Sequence, residues 1–322
     1  MTEQLKLKLN DSKATRWGAL VIVAFTMMAA YYVNDVVAPL KTMLETDLAW
    51  SSTDFGFFTG GYSFLNVFFL MLIWGGLILD RFGIRFTGKL ATILMVGGTA
   101  LEYYAMTGLA GADATLFGIN EIFGYKTGVF VAFAGYSIFG VGAEVAGITV
   151  SKIIAKWFKG KELATAMGVQ VALARIGSQA GYAVAIPLAR AFGISTPVLL
   201  GLVLLLGGMI AFFIFAVMDK KLDKQMEAAA IAAGTEDEEE KFSFKDVKNI
   251  LVNPGFWLIA LLCVLFYSCV FPFQKFASEL MIIKYGINEN VAGTFAGLPA
   301  LGALILTPVF GGFIDKRGKS AS

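Results

Sequence analysis

Gly75-Gly76-Leu77-Ile78-Leu79-Asp80-Arg81-Phe82-Gly83-Ile84-Arg85 follows the second long apolar run of the chain, and Gly311-Gly312-Phe313-Ile314-Asp315-Lys316-Arg317-Gly318-Lys319 follows the eighth. In each copy paired glycines let helices approach closely, an aspartate marks a helix end, and a basic turn containing glycine comes next. One such turn is common at a membrane surface. Two copies, each after the second run of its half, mark an internal repeat and hence a chain built from two related halves.

The composition supports a membrane setting. Of 322 residues 57% are hydrophobic and only 16% charged, against roughly 25% charged in soluble domains. A mean hydropathy of +0.72 leaves too little polar surface to cover a water-soluble core. Runs long enough to cross a hydrocarbon layer of about 30 Å fall at residues 17 to 40, 54 to 79, 88 to 108, 128 to 151, 163 to 189, 194 to 218, 255 to 283 and 291 to 314. Barrel strands would alternate over shorter segments. The expectation is an all-α membrane protein with eight transmembrane helices. No small-residue cleavage site follows the first run, which therefore reads as a retained span. Twenty of the 26 Lys and Arg residues flank the spans on one side, which places that side, and the N terminus, in the cytoplasm.

Residues 1–218 form the expected N-terminal six-helix bundle. Residues 219–250, with the acidic run Glu236 to Glu240, form a cytoplasmic linker. Residues 251–322 supply the first two helices of a second bundle. The formal net charge of +2 argues against a nucleic-acid partner, and the lipid bilayer is the expected surrounding. The chain has no histidine, so His-based catalysis and His-containing metal sites are excluded. With no metal-ligand cluster, nucleophile-base pair or phosphate loop, the chain is not expected to be an enzyme or to carry a cofactor. Cys263 and Cys269 are spaced so that their side chains diverge on a helix, and they read as buried apolar thiols.

Charged and polar groups inside the spans point to function, because each costs a few kcal/mol on insertion scales. Arg175, Ser178, Gln179 and Tyr182 share one face of the fifth run. Ser137, Gly140, Glu144, Gly147 and Ser151 form a polar stripe on the fourth. Glu144 and Arg175 either pair structurally or face a cavity and bind a zwitterion. Tyr31, Tyr32 and Asp35 in the first run, Tyr62 and Asn66 in the second, and Tyr267 and Gln274 in the seventh are further candidates for solute contact. Glu102 reads as snorkelling to water at the end of the third run. Lys275 and Glu279 read as a helix-surface pair.

The arrangement Gly76-x-x-x-Asp80-Arg81-x-Gly83-x-Arg85 resembles the loop signature of the major facilitator superfamily. That resemblance implies two six-helix bundles rocking about a central site. It also implies that Asp80, Arg81 and Arg85 are conformational latch residues, with Asp315 and Lys316 their counterparts. The superfamily has twelve spans, so about four helices are expected to be missing here. Gly140-Val141-Gly142-Ala143-Glu144, Lys156-Trp157-Phe158-Lys159-Gly160-Lys161-Glu162-Leu163 and Ala174-Arg175-Ile176-Gly177-Ser178 are similar to the branch of the lysosomal dipeptide uniporter and its bacterial relatives. This implies facilitated transport of dipeptides, with Glu144 taking the ammonium and Arg175 the carboxylate. Tyr136 stands where many members carry arginine, and this favours a uniporter over a proton symporter. Gln4-Leu5-Lys6-Leu7-Lys8-Leu9 lacks the dileucine sorting signal of the animal proteins, which favours a bacterial cytoplasmic membrane over the lysosome. Other readings are transport of a different organic anion or amino acid, a membrane scaffold, or a non-transporting fragment. No accessory subunit is legible.

Overall fold

The structure is a computed structural model that describes residues 8–111, 114–233 and 251–317. The chain is almost entirely helical: α1 Lys13–Val36, a 3-10 turn Ala38–Leu40, α2 Lys41–Asp47, α3 Ser52–Phe68, α4 Met71–Thr107, α5 Thr127–Trp157, α6 Leu163–Phe192, α7 Thr196–Ala233, α8 Pro254–Tyr285, α9 Glu289–Ala296 and α10 Leu298–Arg317. A two-residue hairpin ladder, Glu121–Ile122 against Tyr125–Lys126, precedes α5. Local chemistry sets several boundaries. Ser12 caps α1 by accepting from Thr15 N. Ser51 and Asp54 close a reciprocal capping box at α3. Asn253 caps α8, with Pro254 at its first position.

Gly83 divides α4. Its φ of 74° and ψ of 172° lie in a region open essentially only to glycine, so the quoted motif turns the chain where its sequence placed a turn. Leu70, also at positive φ, separates α3 from α4, and the two helices are bent by 58°. Among the described residues, five helices are long and apolar enough to cross a membrane, or six if that bent pair counts as one span. The expected eight therefore do not each appear as a separate apolar helix. Parts of two of them share α4, on either side of Gly83, and the polar face through Arg175 and Gln179 dilutes α6.

α1 is wedged between α6 and α7, with Val23, Ala24, Ala29 and Val33 fully buried. Its approach to α6 relies on glycine. A Cβ on Gly177 would stand 2.0 Å from the Met28 carbonyl oxygen, and one on Gly181 3.0 Å from that of Tyr32. The same device joins α4 to α5 through Gly98 and Gly135. α9 and α10 lie against α6. α8 touches the 3-10 turn, α2 and α9, while none of its most apolar stretch is buried. For that reason Cys263 and Cys269 are free and exposed on α8, not buried as their sequence setting implied. α7 runs on through Ala233; the acidic run of residues 236–240 lies outside the described residues.

Candidate functional site

Where α1, α3, α5 and α8 converge they enclose a cavity of about 500 Å³, within the range of small-molecule sites. Tyr31 and Asn34 of α1, Tyr62 of α3, Glu144 of α5 and Phe271 and Lys275 of α8 line it. The Tyr62 hydroxyl donates to Glu144 Oε1 at 2.7 Å, which fixes the carboxylate against the wall and leaves its second oxygen free to accept. The Arg175 guanidinium lies over the Tyr31 ring, 5.2 Å from its centre, and its Nε is buried with no partner. Tyr31 lines the cavity while Arg175 stands behind it. No ion pair joins Glu144 to Arg175 in this conformation.

The remaining candidates are dispersed. Tyr32 points away from the cavity, its hydroxyl donating to the Pro197 carbonyl at 3.2 Å. The Tyr182 hydroxyl donates to the Gln274 backbone carbonyl at 3.1 Å. Ser178 Oγ and Gln179 Oε1 are buried without partners, and Gly297, between α9 and α10, closes over Gln179. The polar face of α6 is thus covered by α8 to α10. Asn66 donates to the Tyr62 carbonyl at 3.0 Å and does not line the cavity. Tyr267 stacks on Phe271 at 5.1 Å. Asp35 is buried, accepts from Asn34 Nδ2 at 2.9 Å, and stands 4.0 Å from Lys275 Nζ.

Three residues have roles that differ from their expected ones. Lys275 does not pair with Glu279. It is turned inward, and its ammonium donates to the Asn34 carbonyl at 2.6 Å and the Tyr136 hydroxyl at 3.0 Å. Glu279 instead accepts from Lys41 at 2.5 Å. Glu102 does not snorkel: it is fully buried and neither carboxylate oxygen has a partner. A charge within an apolar run was the signal that singled out Arg175. The same signal was present at Lys275, but its closeness to the end of its run gave the surface reading.

Asp80, Arg81 and Arg85, the residues expected to act as a latch, lie at one end of the molecule. Asp80 accepts from Lys152 at 2.8 Å, and Arg81 lies over the Phe82 ring. Arg85 bonds both Asp219 and Asp223 of α7, and Lys156 bonds the same two, at 2.8 and 2.5 Å. Trp157 Nε1 also donates to Asp219 at 3.0 Å. The Asp219/Asp223 pair was not singled out, although two acids one helical turn apart just beyond an apolar run were visible. The side chains of Asp315 and Lys316 lie outside the described residues. Nearby, the Lys161 ammonium holds the Asp11 carboxyl below its ordinary value, and the Arg16 guanidinium does the same for Glu162.

A family profile described as Major Facilitator Superfamily matches residues 17–321. The chain is similar to the protein named Lysosomal dipeptide transporter MFSD1 in several animals. It is 27% identical to that of Pongo abelii over 315 residues, covering 94% of this chain and 61% of the relative. It is 27% identical to that of Homo sapiens over 321 residues, covering 95% and 63%. With that of Gallus gallus it is 32% identical over 199 residues, covering 58% and 43%. The chain spans about three-fifths of the length of the first two relatives.

Proposed function

Because the chain belongs to the Major Facilitator Superfamily, we propose that its full-length protein is a secondary transporter that carries small zwitterionic solutes, dipeptides above all, by alternating access. Three arguments support this reading, and one observation carries it. Glu144 is half-buried and held by Tyr62 in the wall of a cavity lined by α1, α3, α5 and α8, where a carboxylate partly withdrawn from water gains from an ammonium partner. The internal repeat agrees with two rocking bundles. The relatives named as dipeptide transporters agree with the solute class.

In this reading the eight apolar segments are spans, with Gly83 separating the second from the third and the N terminus cytoplasmic. The protein works as a uniporter in a bacterial cytoplasmic membrane. Glu144 takes the solute ammonium. Arg175, whose Nε has no partner, takes the carboxylate once Tyr31 moves aside. A second reading, transport of single amino acids or organic anions, is favoured by Lys275 in the cavity wall, and a competition panel separates the two.

The test is dipeptide uptake by the full-length protein in proteoliposomes. Glu144→Gln and Arg175→Ala should each raise the half-saturating concentration about tenfold, the low end of what a charge-assisted hydrogen bond contributes. Unchanged affinity in both variants would overturn the assignment. Acidifying the outside without a dipeptide gradient should give no concentrative uptake; accumulation would sink uniport.

A further inference from the structure

Lys275 is the only cation among the described residues that line the cavity, and its ion pair there is a loose one, with Asp35 at 4.0 Å. Its ammonium donates to two neutral acceptors, the Asn34 carbonyl and the Tyr136 hydroxyl. The nearest carboxylate, Asp35, is 4.0 Å away and already accepts from the Asn34 amide. Glu102 exerts only a distant pull, making no hydrogen bond to it. An ammonium has three donors, and two are taken by groups without charge. A buried cation held in this way has not recovered its lost hydration. An anionic oxygen in the cavity would complete it.

Glu144 provides a ruler. The backbone positions of Glu144 and Tyr136 are about two turns apart on α5, an axial rise of about 12 Å, and Lys275 is bonded to the Tyr136 side chain, so that rise sets the scale between the two ends of the cavity. An extended two-residue peptide reaches about 7 Å, and a hydrogen bond of about 3 Å at each end brings the span to about 13 Å. A single amino acid with the same two bonds covers only about 9 to 10 Å. Arg175 is separated from this space by the Tyr31 ring.

We propose that in this conformation, with Arg175 still shut off by Tyr31, Lys275 holds the carboxylate of the solute while Glu144 holds its ammonium, Arg175 taking the carboxylate over only once Tyr31 has moved, so that the Lys275 and Glu144 pair selects solutes two residues long. This rests on the transport reading in taking the cavity as the solute site. Lys275 belongs to α8 and bonds to α1 and α5, so the same contact places the solute across the junction of the two halves.

The experiment is competition for dipeptide uptake by full-length protein in proteoliposomes. The competitors are alanyl-alanine, its C-terminal amide and free alanine, tested on wild type, Lys275→Gln and Lys275→Arg. Wild type should prefer alanyl-alanine over both others by at least about tenfold. Lys275→Gln should erase the preference over the amide by weakening the free acid alone, and Lys275→Arg should restore most of it. If Lys275→Gln weakened acid and amide equally, the residue would be structural and the proposal overturned. An unchanged preference in Lys275→Gln would also overturn it, leaving the transport reading intact. Wild-type protein blind to all the probes, with no dipeptide uptake, would overturn both.

Discussion

The two ends of the molecule are both tied by charge, but the ties run between different parts. At one end Lys41, only 3% exposed, is gripped by Glu45, Ser52 and Glu279, and Arg190 bonds Glu289 and Asn290. Two of these contacts join α2 to α8 and α6 to α9, across 238 and 99 residues of chain. At the other end Arg85, Lys156, Asp219 and Asp223 connect α4, α5 and α7. The difference teaches that similar ion pairs serve two purposes. The network among α4, α5 and α7 holds those helices together, whereas the bonds from α2 and α6 to α8 and α9 must break if two halves rock as proposed.

The largest expected effect is at the network end. Asp219 is fully buried and serves Arg85, Lys156 and Trp157. Asp219→Ala leaves Arg85 and Lys156 with Asp223 alone and the buried Trp157 N–H without an acceptor, and should cost about 3 kcal/mol, read as a large fall in melting temperature; an unmoved melting curve would erase the contrast between the ends. Next comes a matched pair of overpacking changes, each worth about 1–3 kcal/mol. A Cβ at Gly293 would stand 2.2 Å from the Tyr182 carbonyl, and one at Gly177 2.0 Å from that of Met28. Gly177→Leu should lower the melting temperature. Gly293→Leu should instead open the Lys41 end, measured as faster labelling of a cysteine placed at position 34 by an impermeant thiol reagent.

Lys41→Met should have a smaller effect of the same kind, a few-fold gain in labelling with little change in melting; a large loss of stability would move Lys41 to the other class. The smallest effect involves Asp11, held below its ordinary value of 3.8 by Lys161. Its folded value is depressed, so its contribution to stability is complete above about pH 4 and disappears as pH falls through the lowered value. For an exposed pair that contribution is under about 1 kcal/mol. The melting difference between wild type and Lys161→Met should therefore be present at pH 7 and vanish at strongly acid pH.

Much of the fold was legible because its determinants are local. The turn at Gly83 needed only a glycine between an aspartate and an arginine, and the helices needed only apolar length and caps such as Ser12 and Ser51. Glu144 was legible as a functional candidate since a carboxylate in an apolar run demands a reason. Lys275 and Glu102 were misread for one shared cause: position along a helix near its end was taken for exposure to water. Lys275 bends inward to α1 and α5, and Glu102 is sealed where Gly135 lets α5 approach α4.

Sequence alone determined that the chain is helical and membrane-bound, where it turns, and which faces of its helices are polar, since periodicity and composition act within a few residues of one another. Which polar face meets which was decided only in the tertiary structure. The polar face of α6 is buried under α8 to α10, Tyr32 faces α7, and the cavity draws its charges from α5 and α8. These outcomes depend on partners a hundred or more residues away, and helical periodicity sets the direction of a side chain without saying what stands opposite it.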